Sequence, residues 1–410
     1  MKITNYKSYP WLLVVCYSLL GIFFPAAVTQ FSMVVNSLSE ALAVDRQVIL
    51  LADTTRAMCL VTAMFLSSYV YKRFGLKKTM ALGLMFQILP QFLIPMAVNG
   101  KYILLLFLFK GMQGFNAMAF PLYISTITLW MDKRYTALAT ALFNGSFVAG
   151  SGVGAWISGR IVPVLGWQAS FYAVGGICLF FAIPAWLLTK EKIIEVPQES
   201  QLNVPSKNVY GNVIRQPVTW LLILALIANT WVCQSVTVDM SVYANIIGYS
   251  YGQTGNLMLA ISFVTVISSI MAGGVSDWFA MRAKNKVKSR SMIMAAGYGL
   301  STMAAVLFPN ASAMGFLPLA LVSCAMMFGV SWAAGVFWAL PVEVYTEDDN
   351  IPGTAFCSGA ANIPNPIAPV VVGVLLGSNG HWTAGWLTCA LVSVLSLLSS
   401  LVLARHKNNQ

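Results

Sequence analysis

Four ionisable residues sit where a chain this apolar should not carry charge. Arg56 and Lys110 each lie inside a long hydrophobic run, and Asp53 and Asp239 are the two carboxylates within such runs away from the basic end. A charge deep in hydrocarbon costs roughly 2.5–3.5 kcal/mol even on insertion scales, so it faces a cavity or a partner. Arg56 enters about ten residues into its run, near 14 Å deep at about 1.5 Å per residue, and Lys110 lies at a similar depth. Arginine presents a planar fork that fits a carboxylate, whereas lysine is a point charge able to lose its proton when buried. Two cations at one depth make a site for an anion. Asp53, three residues before Arg56 on the same helical face, offers the plainer reading of a structural ion pair; Lys110 has no acid nearby in sequence. A carboxyl alternating between burial and a neighbouring cation can take up and release a proton, which makes Asp239 and Asp53 candidate coupling sites. The plain alternative for Asp239 is a solvated residue near the outer end of its run.

Composition fixes the setting for these residues. Of 410 residues, 58% are hydrophobic and 9% charged. That is too little charge to coat a soluble protein and too much hydrophobicity for a disordered one, so a bilayer must face the apolar surface. The net charge of +11 does not point to nucleic acid, because most of the 24 Lys and Arg fall in loops sharing one side, such as Lys72–Lys78 and Arg282–Arg290. The basic side is cytoplasmic, which places the chain in the cell membrane with both termini in the cytoplasm. Seven scattered cysteines lie in apolar runs without metal spacing, so free thiols are expected. The first apolar run, from Trp11, reads as a retained span rather than a cleaved signal.

The chain divides into twelve runs long enough to cross about 30 Å of hydrocarbon: 11–37, 47–71, 79–98, 102–130, 135–160, 167–189, 218–243, 254–276, 291–308, 314–342, 353–377 and 382–404. They are called spans 1 to 12. The expected architecture is all-α, with an N-terminal six-helix bundle (1–190), a polar linker (191–217) carrying Pro197, Pro205 and Pro217, and a C-terminal six-helix bundle (218–410). The halves repeat weakly. Thr140-Ala141 recurs as Thr354-Ala355, and Gly145, Gly159 and Gly166 recur as Gly359, Gly373 and Gly380. Shared glycine spacing in spans 5 and 11 implies similar helix crossings, as in transporters built from parallel repeats.

The loop after span 2, Ser68-Tyr69-Val70-Tyr71-Lys72-Arg73-Phe74-Gly75-Leu76-Lys77-Lys78, resembles the GxxxDRxGRR loop of the major facilitator superfamily, with Lys72 in place of the aspartate. Gly273-Gly274-Val275-Ser276-Asp277 after span 8 keeps the acid that the first copy lost, and Lys110-Gly111-Met112-Gln113-Gly114 resembles the family's RxxQG. Phe337-Trp338-Ala339-Leu340-Pro341, Gly353-Thr354-Ala355, Asn362, Pro369 and Gly373 look like the anion:cation symporter branch, although the usual span 1 arginine region reads Val28-Thr29-Gln30-Phe31-Ser32. The resemblance implies two halves rocking about a central site, a small organic anion as cargo, and a cavity lined by spans 1, 4, 7 and 10. On that basis Gln113, Asn116, Trp231, Gln234 and Trp338 are candidate substrate contacts; Arg56 and Lys110 join them for their depth and Asn362 as a polar residue within span 11, while Arg73, Gly75 and Asp277 are candidate gating residues. Trp338 equally fits an interfacial anchor. Asn362 and Asn365 equally fit residues that satisfy carbonyls freed by Pro364 and Pro366. The acids Glu343, Glu347, Asp348 and Asp349 can pair with the 282–290 loop, although a solvated turn is the plainer reading.

The leading expectation is therefore a proton-coupled symporter of an organic anion, a monomer with no cofactor or metal and with lipid as its surroundings. Two rivals remain. Export of an apolar or cationic drug would suit the Met and aromatic content, but the span 5 stretch reads Gly150-Ser151-Gly152-Val153-Gly154, without the Gly-Pro pair of drug antiporters. A polytopic receptor or scaffold would leave the half-repeat unexplained. An enzyme is not expected, since the two histidines, His381 and His406, are far apart.

Overall fold

The computed structural model describes residues 8–132, 135–190, 209–377 and 382–405. The linker stretch 191–208, Gly380, His381 and His406 lie outside them. The described residues form helices and short connections, with no strand. Eleven of the helices are long and apolar enough to cross a membrane, and their outward sides carry residues such as Leu104, Phe180, Ile270, Leu321 and Leu391, each more than 60% exposed. Lipid is the solvent that tolerates such a surface. All seven cysteines are free.

Span 1 is Tyr9–Met33. Spans 2 and 3 occupy one helical stretch, Arg46–Asn99, interrupted at Gly75, where φ is 76°. A side chain is strained at that angle, so glycine makes the tight reversal possible. Spans 5, 6, 7, 8, 9 and 12 are Thr136–Leu165, Trp167–Leu188, Pro217–Ile246, Tyr251–Ala280, Lys286–Ala313 and Trp382–Leu403.

Three spans are broken, and proline explains where. Span 4 runs Ile103–Gly114, winds as a 3₁₀ turn over Phe115–Ala119, and resumes as Phe120–Trp130. Pro121 has no N–H to offer Ala117, so Phe120 donates to the Ala117 carbonyl one residue early. Span 11 breaks the same way between Glu347–Ala361 and Pro364–Gly377. Pro364 cannot serve Ala360, and Ile363 N–H reaches that carbonyl at 3.2 Å. Neither piece is long enough to count as a crossing helix, which is why eleven rather than twelve are found. Span 10, Phe316–Phe337, gives way to a short turn, Leu340–Val344, with Pro341 at its start.

The chain divides into two compact units, Met1–Ile193 with Thr237–Ser262, and Ile194–Val236 with Phe263–Gln410. In the first unit, span 5 lies directly on span 1. A Cβ on Gly154 would sit 2.5 Å from Ala26 Cα, and one on Gly150 would collide with the Ile22 backbone. Gly152 faces the backbone of Leu259 and Gly159 that of Tyr251, so the beginning of span 8 packs on the opposite side of span 5. Ser32 donates to the Val238 carbonyl, and Asn245 Nδ2 to Met33 O at 3.3 Å. An aromatic core of Tyr17, Phe24, Phe120, Tyr123, Phe143 and Phe147 fills the space among spans 1, 4 and 5.

In the second unit, Gly297 and Gly329 let the backbones of spans 9 and 10 touch, and Ser396 and Ser399 donate to Leu224 O and Leu221 O, tying span 12 to span 7. Gly359 faces open space, since a Cβ there would meet nothing within 4 Å.

Gly154→Ala puts a methyl into backbone and is expected to destabilise the protein by about 1–3 kcal/mol. Gly176→Ala meets open space and should hold or raise the melting temperature, since alanine is the better helix former. Thermal melts of the two purified variants decide the point; equal falls would remove packing as the cause.

Candidate functional site

Spans 2 and 4 approach because span 4 carries glycine where they cross. A Cβ on Gly114 would overlap the Arg56 carbonyl and lie 2.8 Å from Cys59 Cβ, and one on Gly111 would rest 3.4 Å from Thr55. That closeness is what brings Lys110 to span 2. Its ammonium lies 2.9 Å from Asp53 Oδ1. The same carboxylate receives the Arg56 fork, Nε to Oδ1 at 2.7 Å and Nη2 to Oδ2 at 2.9 Å. Lys110 is fully buried, Asp53 2% exposed and Arg56 6%. Lys110 therefore does have an acid partner, one that sequence proximity does not reveal because it comes from the neighbouring span. One carboxylate shared by two cations leaves a net buried charge of +1 when all three are ionised.

The two cations differ in what remains free. Lys110 donates also to Gln113 Oε1 at 3.1 Å and stands 4.0 Å above the centre of the Phe31 ring, so its three protons are all engaged. Arg56 uses the Nε–Nη2 edge on Asp53, and Nη1 has no partner among the described residues. A guanidinium has a second edge able to take another carboxylate in bidentate fashion.

Unpaired polar atoms lie in the same unit. The Gln113 amide nitrogen and the Gln30 amide oxygen are buried without a partner, while Gln30 Nε2 donates to Ser170 at 3.1 Å. Asp239 is fully buried, both of its carboxylate oxygens lack a partner among the described residues, and it lies within electrostatic reach of Asp53. It is not a solvated outer residue. Buried polar atoms left this way are rare and call for a ligand, proton or water. Asn116 has gone elsewhere: it donates to Gln87, which donates to Phe23 O at 2.9 Å, bridging spans 4, 3 and 1.

In the second unit, Trp231 Nε1 donates to Thr388 at 3.2 Å, and the Gln234 amide nitrogen is buried and unpaired. Trp338 is 52% exposed, packed edge-on against Phe337. Asn362 sits at the break in span 11 and accepts from Asn365 Nδ2 at 2.9 Å. Arg290 binds three groups at the basic end, Asp277 and Glu343 at 2.9 Å each and Ser276 at 2.8 Å. Glu343 is thus paired and nearly buried, not part of a solvated turn. Tyr345 bonds Thr219 at 2.7 Å and Cys357 at 3.3 Å, and burial pushes its phenol above its ordinary value, keeping it neutral. Arg73 in the first unit is exposed, 5.9 Å from the Phe74 ring.

Phe31 carries no role in the sequence reading, and Arg290 enters it only as part of the 282–290 loop, whose pairing with Glu343 it makes. Phe31 stands in the span 1 stretch that departs from the usual arginine, a signal that something there serves a cation differently. Arg290 could have been sought as the base that answers Asp277.

The family model of the Major Facilitator Superfamily matches residues 11–348. Among curated proteins, the chain is 21% identical to the probable L-galactonate transporter of Escherichia coli (strain K12), over 82% of this chain and 76% of that protein. It is 24% identical to the voltage-gated purine nucleotide uniporter SLC17A9 of Mus musculus, over 69% of this chain and 65% of that one. Among solved structures, a bacterial homolog of the human lysosomal transporter Spinster, inward-facing and occupied, superposes with a TM-score of 0.76 at 12% identity, covering 98% of both chains. That likeness is one of fold. With the family model spanning most of its length, the chain is a membrane transport protein rather than an enzyme, and it belongs to the Major Facilitator Superfamily.

Proposed function

We propose that the protein moves a small carboxylate-bearing organic anion across the cell membrane together with a proton, by alternating movement of two six-helix halves, 1–190 and 218–410, with both termini in the cytoplasm. The observation that carries this reading is the open edge of Arg56 beside a buried excess positive charge. An anion arriving there neutralises the charge and meets a ready fork, while the unpaired amides of Gln113 and Gln30 suit hydroxyl groups on the same cargo. The names of the relatives support it: L-galactonate and purine nucleotides are both anions. In this reading Lys110 acts indirectly, holding Asp53 and so aiming Arg56.

Asp239 is the proposed proton carrier. Protonation removes the charge that burial penalises, and a cation drawn toward it favours release. A sodium-coupled version is the second reading, favoured by a relative from Mus musculus named sodium-dependent phosphate transport protein 3, 20% identical over 59% of this chain. Uptake of labelled sugar acids into proteoliposomes under a pH gradient alone or a sodium gradient alone separates the two.

The charge arithmetic gives an asymmetric expectation. Asp53→Asn leaves two buried cations without their acid and should cost about 3–5 kcal/mol, seen as a lower melting temperature and poor recovery. Arg56→Gln leaves a neutral Asp53–Lys110 pair, so it should fold about as well as the parent yet lose anion uptake at least about tenfold, the equivalent of about 1.4 kcal/mol of lost binding. Undiminished uptake in folded Arg56→Gln protein would refute the anion site. For coupling, Asp239→Asn should abolish accumulation driven by a pH gradient while sparing anion exchange. Accumulation that persists under a pH gradient would exclude Asp239 as carrier.

A further inference from the structure

At the end of span 8 and the start of span 9, four exposed cations, Arg282, Lys284, Lys286 and Lys288, fall within seven residues, and none has a carboxylate partner among the described residues. Two nearby acids, Asp277 and Glu343, are taken by Arg290, and Asp349 accepts from Gln216. The first turn of span 9 carries no acid either, although cations there oppose the positive end of the helix dipole. So much uncompensated charge calls for an anion from outside the chain.

The surroundings say which kind. Arg282 does not wave freely: its guanidinium lies 4.0 Å over the Trp278 ring, and Nη1 donates to the Trp278 carbonyl at 3.1 Å. Trp278 and Phe279 are each 48% exposed and Met281 76%. They continue the exposed apolar side of the same helix, built from Phe263, Ile267, Ile270 and Met271. Tryptophan beside basic residues marks the level of lipid headgroups. The first unit repeats the chemistry on a smaller scale, with Lys77 5.3 Å from the Trp186 ring, whose indole N–H donates to the Lys77 carbonyl at 3.1 Å.

We infer that the Trp278–Lys288 segment is a binding site for an anionic phospholipid, whose phosphate sits among Arg282, Lys284, Lys286 and Lys288 and whose acyl chains run along the exposed apolar side of span 8. A small soluble anion would use the charges but not the apolar side chains beside them. A zwitterionic lipid would bring its own cation and gain little.

The test uses the purified full-length protein in neutral detergent with phosphatidylglycerol, phosphatidylcholine or glycerol phosphate added, read by thermal shift and by native mass spectrometry of retained lipid. Phosphatidylglycerol should stabilise and remain bound, and the other two should not. Each Lys or Arg replaced by Gln among the four should weaken retention roughly fivefold, and Trp278→Leu should weaken it with all charges intact. If the fourfold variant does not fold, raising the salt on the unmodified protein serves instead and should release the lipid. Equal stabilisation by phosphatidylcholine, an equal shift with glycerol phosphate, retention in the folded fourfold variant, or retention that ignores salt would each overturn the proposal.

Discussion

Sharing one carboxylate between two cations is the constraint that organises the first unit. Asp53 binds Arg56 through two hydrogen bonds and Lys110 through a third, and all three side chains are out of contact with bulk solvent or nearly so. Burying ions costs several kcal/mol apiece, and attraction repays that only where geometry is good and the remaining protons are satisfied. Lys110 meets the condition through Gln113 and the face of Phe31. Arg56 does not meet it fully, because one terminal nitrogen stays open. An arrangement made only for stability would not keep a second cation; a well-packed apolar residue would serve better. The excess charge is thus a cost that a binding function would account for.

Small residues and prolines deliver that geometry. Glycine at 111 and 114 sets the distance between spans 2 and 4, without which Lys110 would stop short of Asp53. Just past Gly114 the helix tightens into the 3₁₀ turn imposed by Pro121, and Ser67 steadies it by donating to Met118 O at 2.7 Å. The charged half of span 4 therefore ends at a built-in change of pitch. Helical irregularity of this kind recurs at functional sites because freed carbonyls and altered phase are tolerated only where neighbours re-satisfy them.

What the sequence made legible follows from range. Periodic apolar runs are local, so the helical membrane architecture and the positions of the crossings could be read directly. Arg56 with Asp53 could be read too, since three residues on a helix share a face. Lys110 with Asp53 could not, because their separation along the chain is large and only the crossing of two spans unites them. The orphaned carboxyl of Asp239 is a fact of burial, invisible to a reading that placed it near an outer end. Asn116 was legible as polar, but its bond to Gln87 on another span was not; Trp338 was legible as either a cavity residue or an interfacial anchor, and its half-exposed setting fits the second. The break in span 11 was foreshadowed by Asn362-Ile363-Pro364-Asn365-Pro366; that in span 4 was hidden because a single Pro121 after an apolar stretch looks like any tolerated membrane proline.

The two units also differ at their basic ends, in a way that one substitution in the sequence already implied. Where the second unit has Asp277, the first has Lys72 at the matching place in the repeated loop. In the second unit the acid is used: Arg290 joins Asp277, Glu343 and Ser276, linking the end of span 8, the start of span 9 and the turn after span 10. In the first unit Arg73 has only a distant ring among the described residues, and the reversal at Gly75 is held by Thr79 donating to Gly75 O at 2.9 Å. Charge-assisted hydrogen bonds to a partly buried guanidinium are about twice as strong as neutral ones, so the second loop is fixed to its bundle more firmly than the first. The repeated loop is thus anchored by charge in one unit and by a backbone reversal in the other.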